Sequence, residues 1–291
     1  MRSAAVVTQV LRWYDENARD LPWRRPEATP WQVMVSEFML QQTPVERVLE
    51  PWRRWVERWP TPTALAATPA GEAVRAWGRL GYPRRALRLH QSATVIVQEH
   101  AGEVPNDRTR LLALPGVGSY TAAAILSFAF GQRHVVLDTN VRRVLTRVAE
   151  GVAYPGTAST PADTALAETF LPQSQTRAAR WAVASMELGA LVCTARSPAC
   201  AACPLQGQCA WRLAGYPEWS GPPRRGQSYS GTDRQCRGAL LGVLRSTDGP
   251  VHRAELETVW TDPVQRERAL QSLVSDGLAV PVPPESYALP G

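Results

Sequence analysis

The spacing of apolar residues predicts several helices in the part of the chain before position 215. The clearest row recurs at the three- and four-residue intervals of one helical face and consists of Trp31, Met34, Val35, Phe38 and Met39. The same spacing predicts helices at residues 5–17, 45–59 and 177–192. In the second of these segments three tryptophans share one face, and we expect them to lie in the core rather than to stack on bases.

An uncharged run from Leu111 to Gln132 stands at the centre of the chain. The run is long enough to cross a bilayer, but Pro115, Gly116 and Gly118 divide it into a turn and a helix that starts near Ser119. We therefore exclude a membrane span. Two interpretations stay open: a helix-hairpin-helix whose backbone N–H groups bind a DNA phosphate, or an ordinary buried helical hairpin.

The composition changes after residue 214. Residues 215–236 are rich in Gly, Pro and Ser, which is typical of a linker. Residues 237–291 contain three apolar helical rows followed by the segments L-A-V-P-V and Y-A-L, which could pair as a short ribbon. This order resembles a small winged-helix module, which could bind DNA or only pack against a neighbour.

The charge and the N-terminus restrict the possible classes of protein. The chain of 291 residues has 32 basic and 26 acidic residues and a net charge of +6, which suits a polyanionic partner but is weak evidence alone. All 32 basic residues are arginines, so a mechanism with a lysine nucleophile is excluded. The N-terminal apolar stretch is too short for a signal peptide, and we expect a cytoplasmic protein, nucleoid-associated if bacterial.

Four cysteines form a candidate metal site. They follow the pattern C-x6-C-x2-C-x5-C in one short segment and are Cys193, Cys200, Cys203 and Cys209. Zinc sites usually have two C-x-x-C pairs separated by a longer loop, whereas four thiolates in one short loop suit a [4Fe-4S] cluster. We therefore predict a [4Fe-4S] cluster, with zinc as the alternative.

Two carboxyl groups are candidates for chemistry. Glu37 lies beside the apolar face of the helix around residues 31–39, although a single glutamate on a helix is most often a solvated charge. Asp138 precedes a helix, where an aspartate most often serves as N-cap, and with its ordinary pKa it would be ionised at neutral pH.

Six segments in the same order resemble the endonuclease III superfamily of DNA glycosylases, and among them most closely the MutY-type adenine glycosylases. The six are S-E-F-M-L-Q-Q-T (36–43), L-G-Y (80–82), L-P-G-V-G-S-Y-T-A-A-A-I (114–125), L-D-T-N-V-R-R (137–143), M-E-L-G-A (186–190) and the cysteine pattern. The resemblance implies an all-α, two-lobed fold. A six-helix barrel lobe would cover about residues 24–133, and an iron–sulfur lobe about residues 1–23 and 134–214. DNA would lie across the cleft with the target base flipped out.

The same resemblance implies roles for individual residues. Glu37 would protonate adenine and Asp138 would stabilise the cationic sugar, as in sugar hydrolases. Tyr120 stands where strand-cutting relatives have a lysine, which implies a monofunctional glycosylase, and Asn140 would support the catalytic centre. Further residues implied to bind DNA are Arg19, Trp23, Arg24, Leu40 and Glu187 around adenine, Gln42, Thr43 and Tyr82 near the opposite base, and Gly116, Gly118 and Thr121 at a phosphate.

One departure from the family concerns the recognition of 8-oxoguanine. Most relatives carry a large Nudix-like domain for this purpose, whereas here only a short segment follows position 220. We expect a monomer that acts on double-stranded DNA containing adenine opposite 8-oxoguanine or guanine and that has no membrane partner. The alternatives are a thymine or uracil mismatch glycosylase of the same fold, and a non-catalytic iron–sulfur protein that senses DNA.

Overall fold

A computed structural model of the chain describes residues 2–221 and 229–291. Helices α1 to α6 are Arg2–Asn17, Pro30–Leu40, Val45–Arg58, Pro62–Ala66, Ala70–Trp77 and Arg84–Glu99. Helices α7 to α11 are Arg108–Ala113, Ser119–Phe130, Thr139–Leu145, Pro161–Phe170 and Gln175–Leu191. Helices α12 to α15 are Ala210–Leu213, Asp233–Ser246, Arg253–Glu257 and Pro263–Ser275. Strands β1 to β3 are Val251–His252, Val280–Val282 and Ser286–Ala288.

The chain divides into two compact units. The first unit contains the described residues of 1–33, 106–112 and 117–223, and the second contains those of 34–105, 113–116 and 224–291. The predominantly helical fold agrees with the sequence prediction. None of the described helices is both long and apolar enough to cross a membrane.

The core of the first unit forms where α1, α9, α10 and α11 pack together. Helix α1 contributes Val6, Val7, Val10 and Leu11, which recur at helical spacing and are all buried. Caps fix where two of the other helices begin. The Thr160 hydroxyl accepts a hydrogen bond from the backbone N–H of Asp163 at the start of α10, and Ser174 caps α11 in the same way.

A group of aromatic side chains lies in the core of the second unit. Trp52, Trp55 and Trp59 are buried, as the sequence predicted. The ring of Trp55 meets the rings of Trp59 and Trp77 edge to face, with centroid distances of 4.7 and 5.6 Å. This geometry favours aromatic pairs, because the positive edge of one ring faces the negative face of the other.

Helix α2 is buried on more than the predicted face. Every residue from Val33 to Met39 is buried, including Ser36 and Glu37, and Glu37 is only 5% exposed. The apolar row therefore identified the helix correctly but not what covers its other side. A solvated surface charge is the wrong interpretation for Glu37.

The C-terminal module, defined here as residues 229–291, lies in the second unit. It has the predicted three helices and ribbon, with β2 antiparallel to β3 and β1 on the other side of β3. Helix α13 begins at Asp233, inside the range 215–236 that the sequence assigned to a linker. Residues 222–228 of that range lie outside the described residues, and the domain boundaries stay a prediction.

The two glycines of the hairpin turn have different structural roles. Gly116 has a positive φ of 82°, and a Cβ atom there would lie 2.8 Å from Cβ of Arg88 and 3.0 Å from Cε1 of Phe38. Gly118 has a φ of −97°, and a Cβ atom there would meet nothing within 4 Å. Backbone conformation and packing therefore require glycine at position 116 but not at position 118.

We predict that Gly116→Ala lowers the free energy of unfolding by about 1–3 kcal/mol, because it combines a strained φ with a steric clash. The matched change Gly118→Ala should stay within about 0.5 kcal/mol of the unmodified protein, since its methyl group would point into open space. Urea denaturation followed by circular dichroism measures both values. Equal losses in the two variants would contradict the assignment.

Candidate functional site

The predicted site residues are distributed over both units. The first unit contains Arg19, Trp23, Arg24, Gly118, Tyr120, Thr121, Asp138, Asn140, Glu187 and the four loop cysteines. The second unit contains Glu37, Leu40, Gln42, Thr43, Tyr82 and Gly116.

Asp138 is the N-cap of α9. One carboxylate oxygen accepts a hydrogen bond from the backbone N–H of Val141 at 2.7 Å, and the other accepts one from the Asn140 side-chain amide at 2.8 Å. Burial of the carboxyl group raises the pKa of Asp138, and these hydrogen bonds and the charge of Arg143 oppose that rise only in part. The expectation of an ordinary pKa is therefore wrong. The protein holds this carboxylate in place but makes its charge unfavourable.

Arg143 connects this carboxylate to the cysteine loop. Its guanidinium donates hydrogen bonds to the Asn140 side-chain oxygen, the Gly189 carbonyl and the Cys193 carbonyl, each at 2.7 Å. Gly189 permits the close approach of α11 and α9, because a Cβ atom there would lie 2.7 Å from Cβ of Asn140. Asp138 and Cys193 are thus linked through two intervening side chains.

Glu187 joins α11 to the segment after α1. Its carboxylate accepts hydrogen bonds from Nε and Nη2 of Arg19, both at 2.7 Å, and pairs with Arg24 at 2.9 Å. Glu187 is 0% exposed. Burial alone would raise the pKa of Glu187, but the hydrogen bonds and charges of the two arginines outweigh burial and lower it. Trp23 is buried in the short turn Pro22–Arg24 that also carries Arg24. That Trp23 and these charged side chains frame one adenine pocket stays a prediction.

Tyr120 and Thr121 differ in exposure at the start of α8. Tyr120 is half-buried and packs against a small apolar cluster that includes Ala124, Val136 and Ala182. Thr121 is only 3% exposed, so its side chain does not present a phosphate-binding group. The predicted phosphate contact through the backbone N–H groups of the turn and of the start of α8 stays a prediction.

In the second unit, two loops with strained backbone lie side by side. Gln42 and Tyr82 have φ values of 56° and 47°, which non-glycine residues rarely adopt outside functional sites. Arg85 links the loops, since its guanidinium lies 4.4 Å from the Tyr82 ring centroid and donates a hydrogen bond to the Gln41 carbonyl. Tyr82 is 51% exposed.

Thr43 and Leu40 flank the exposed Gln42. The Thr43 side chain is buried, and its hydroxyl donates a hydrogen bond to the Leu80 carbonyl at 3.3 Å, which holds the two loops together. The sequence analysis had instead expected this side chain to face the opposite base. Leu40 is half-buried at the end of α2. Of the residues predicted near the opposite base, only Gln42 and Tyr82 are exposed.

The four loop cysteines line one cavity, together with Arg147, Leu188 and Trp211. All five cysteines lie among the described residues and none is in a disulfide. Within residues 2–221 and 229–291, no three His, Cys, Asp or Glu side chains are spaced to hold a single metal ion. Four thiol donors that line one cavity fit the all-cysteine ligation of an iron–sulfur cluster.

Arg147 organises the cysteine loop from inside. It donates to the carbonyls of Ala153 at 2.9 Å, Thr194 at 2.8 Å and Ala195 at 3.1 Å, and it lies 3.3 Å from the sulfur of Cys193. Burial raises the pKa of Cys193, against the effect of Arg147. Burial also raises the pKa of Cys203 to about 11, so iron must displace protons when it binds these thiols.

The sequence analysis missed Arg143 and Arg147 as site residues. Arginines in a helix normally form a solvated face, yet both are buried. Arg143 lies in α9 and Arg147 in the π-helix Thr146–Glu150 that follows it. Their four-residue spacing among apolar residues was a usable signal, because two buried cations need acceptors from elsewhere.

Comparisons with known proteins agree with this geometry. The family model "HhH-GPD superfamily base excision DNA repair protein" matches residues 35–155, and the iron–sulfur binding domain of endonuclease III matches residues 193–209. These matches cover both the hairpin and the cysteine loop. They define the class of the protein as a helix-hairpin-helix base excision DNA repair protein with an iron–sulfur domain.

Curated relatives narrow the class. An adenine DNA glycosylase of Mycobacterium tuberculosis H37Rv is 56% identical over 285 residues, which cover 98% of this chain and 93% of the relative. The adenine DNA glycosylase of Mycolicibacterium smegmatis is 54% identical over 97% of this chain and 95% of the relative. The human adenine DNA glycosylase is 41% identical over 72% of this chain and 40% of the human protein. The chain therefore belongs to the adenine DNA glycosylases of the HhH-GPD superfamily.

Solved structures show the same fold. A thermostable thymine-DNA glycosylase matches with a TM-score of 0.66 and 28% identity over 73% of this chain and 97% of that chain. Endonuclease III in a non-covalent DNA complex matches with a TM-score of 0.62 and 23% identity, over 73% of this chain and 95% of that chain. The match of residues 193–209 to the iron–sulfur binding domain of endonuclease III assigns a [4Fe-4S] cluster to the four loop cysteines.

We predict that the purified protein contains about four iron and four sulfide equivalents per chain and no stoichiometric zinc. Arg147→Met should lower the iron content and the visible absorption of the cluster, because the carbonyls of the loop lose their shared donor. Arg196→Met, which changes an exposed arginine of the same loop, is the control. Full iron content in Arg147→Met would show that the loop does not need this residue.

Proposed function

We propose that this protein hydrolyses the N-glycosidic bond of adenine opposite 8-oxoguanine or guanine in double-stranded DNA and leaves the strand uncut. The 56% identity to an adenine DNA glycosylase over nearly the whole chain carries the proposal. A buried Glu37 and an enclosed Asp138 supply side chains suited to the chemistry.

The reaction needs an acid and a fixed negative charge. Glu37 would donate a proton to the departing adenine while positive charge develops at C1′ of the sugar. Water then adds to C1′, so the products are free adenine and an abasic site, and the second proton of water returns to the acid. Glu37 is only 5% exposed, which suits an acid that acts on a base removed from solvent.

Asp138 would oppose the developing positive charge. Its charge is unfavourable in the free protein, because burial outweighs the hydrogen bonds that it accepts. A cationic sugar removes this penalty only as the bond breaks, and an interaction that strengthens in the transition state lowers the barrier. At a separation of about 4 Å and an effective dielectric near 20, such a pair contributes roughly 4 kcal/mol.

The absence of strand cleavage follows from the composition. A Schiff base with the opened sugar needs an amine, and the chain has no lysine. Tyr120 stands at the position in the hairpin helix where strand-cutting relatives have a lysine. Its phenol cannot form that intermediate, so the abasic product should persist until alkali or another enzyme cuts it.

The test is an assay with end-labelled duplexes that contain A opposite 8-oxoguanine, A opposite G, T opposite G and U opposite G. We expect cleavage after hot alkali only for the two adenine duplexes, and no cleavage without alkali. Release of thymine instead would favour the thymine glycosylase interpretation, for which the solved thymine-DNA glycosylase is the structural precedent. No release from any duplex would refute the proposal.

We predict that Glu37→Gln and Asp138→Asn each reduce adenine release at least about a hundredfold while DNA binding is retained. Asparagine keeps an oxygen that can accept from the Val141 N–H, so the cap of α9 should survive. Glu57→Gln, which changes an exposed carboxylate on α3, is the control and should leave the rate unchanged. Normal turnover in either site variant would show that the substituted carboxylate is not needed for the chemistry.

We further predict that Asn140→Ala shifts the pH dependence of adenine release. The Asn140 amide lowers the pKa of Asp138, so its removal should raise that pKa further. Since Asp138 must be ionised, activity disappears as the pH falls through its pKa, and the variant should lose activity at a higher pH. Single-turnover rates across a pH series measure the shift. Thr139→Ala, an exposed neighbour, should keep the original profile.

A further inference from the structure

The C-terminal module is attached to the residues that flank the Tyr82 loop, defined here as residues 78–83. Arg245 at the end of α13 donates a hydrogen bond to the Val74 carbonyl at 2.9 Å and to the Gly78 carbonyl at 2.5 Å. Burial lowers the pKa of Arg245 to about 10. Its Nη2 atom is buried and has no hydrogen-bond partner among the described residues. Burial of a cation with one unpaired nitrogen is energetically unfavourable, which indicates that Arg245 has a role beyond solubility.

The attachment is reciprocal. Arg75 near the end of α5 donates hydrogen bonds to the carbonyls of Arg245 and Thr247, the latter at 3.1 Å. Each helix thus places an arginine on the C-terminal carbonyls of the other, where the helix dipole favours positive charge. The end of α5 leads directly into the Tyr82 loop.

A second attachment lies on the other side of the loop. Asp276, which follows α15, accepts a hydrogen bond from Arg237 of α13 at 2.6 Å and pairs at 3.2 Å with Arg84. Arg84 is the first residue of α6 and follows Tyr82 by two positions. The module therefore holds the chain immediately before and immediately after the loop.

The loop needs such support, because its backbone is strained. Gly78, Gly81 and Tyr82 all have positive φ, and for tyrosine this conformation is unfavourable. Strained conformations persist only where the surrounding structure determines them. The indole of Trp77, the last residue of α5, donates a hydrogen bond to the Gly81 carbonyl at 2.9 Å. The remaining support of the loop includes the two attachments of the module.

The charge of the module argues against a role in binding phosphates. Residues 229–291 contain six arginines and eight carboxylates, so the net positive charge of the chain resides before them. Five of these arginines bind protein carbonyls, hydroxyls or carboxylates in the structure. An acidic module with its arginines engaged does not provide the cationic surface on which DNA affinity depends.

We propose that the C-terminal module is a brace for the Tyr82 loop, and that Arg245 and Asp276 are positioning residues which set how Tyr82 meets the base opposite the adenine. The inference rests on the proposed function. Discrimination between 8-oxoguanine and guanine would then depend on a module that does not itself contact DNA.

The kinetic test is a double-mutant cycle. Arg245→Met should reduce the preference for A opposite 8-oxoguanine over A opposite G by about tenfold, the scale of one charge-assisted hydrogen bond. In a Tyr82→Ala background the same change should have no further effect, because both variants remove one function. Arg268→Met is the control, since this exposed arginine pairs with Asp233 inside the module. Additive effects of Arg245→Met and Tyr82→Ala would overturn the proposal.

A structural readout tests the brace without turnover. Amide hydrogen exchange of the peptide 78–83 in the intact protein should accelerate in Arg245→Met, stay unchanged in Arg268→Met and be partly restored in Arg245→Lys, which keeps a cationic donor. Unchanged exchange in Arg245→Met would refute the brace. If that variant does not fold, Asp276→Asn, which weakens the other attachment, takes its place with the same expected results. Failure of the unmodified protein to release adenine would refute the proposed function, whereas the exchange result would still decide the brace.

Discussion

The burial of charged side chains is the constraint on which the first unit depends. A buried charge is tolerated only where several oriented groups replace water, and here Arg143 and Glu187 have partners that are distant in sequence. Asp138 requires Asn140, which is held by Arg143, and Arg143 in turn binds the carbonyl of Cys193. Glu187 requires the arginines that follow α1. The positions of α9, α11 and the cysteine loop are thus fixed by the side chains around Asp138, and the segment after α1 is tied to α11 by the charges around Glu187.

In the second unit, strained backbone at two loop residues requires support from other side chains, as the buried charges do in the first unit. Gln42 and Tyr82 adopt conformations that are unfavourable for their residue types. Arg85 and Thr43 join their loops, while Arg245 and Asp276 attach the loop of Tyr82 to the C-terminal module. The exposed side chains of Gln42 and Tyr82, which are predicted to meet the base opposite the adenine, therefore lie on loops that other polar side chains hold in place. A module without a Nudix-like fold can influence recognition by this route.

Much of the fold could be predicted from local patterns. Apolar periodicity identified α2, the tryptophan face and the C-terminal ribbon, and the cysteine spacing identified the cluster, because these signals lie within a few residues of one another. Burial of the second face of α2 and the partners of Arg143 and Arg245 could not be predicted. Arg143 meets Cys193 across 50 positions and Arg245 meets Val74 across 171, and no local pattern encodes such pairings. A lone arginine in a helix gives no sign of whether its acceptors are water or distant carbonyls.

The tight crossing at Gly189 has a consequence for natural variation. A methyl group at this position would press on the side chain and the carbonyl of Asn140, at 2.7 and 2.9 Å. Helix α11 would then have to slide away from α9, and Arg143 would lose the carbonyl that orients it. A natural variant of Gly189 would therefore lose activity in the same way as a variant of the reacting groups, although its reacting groups are intact. Its primary lesion would be the spacing between two helix axes.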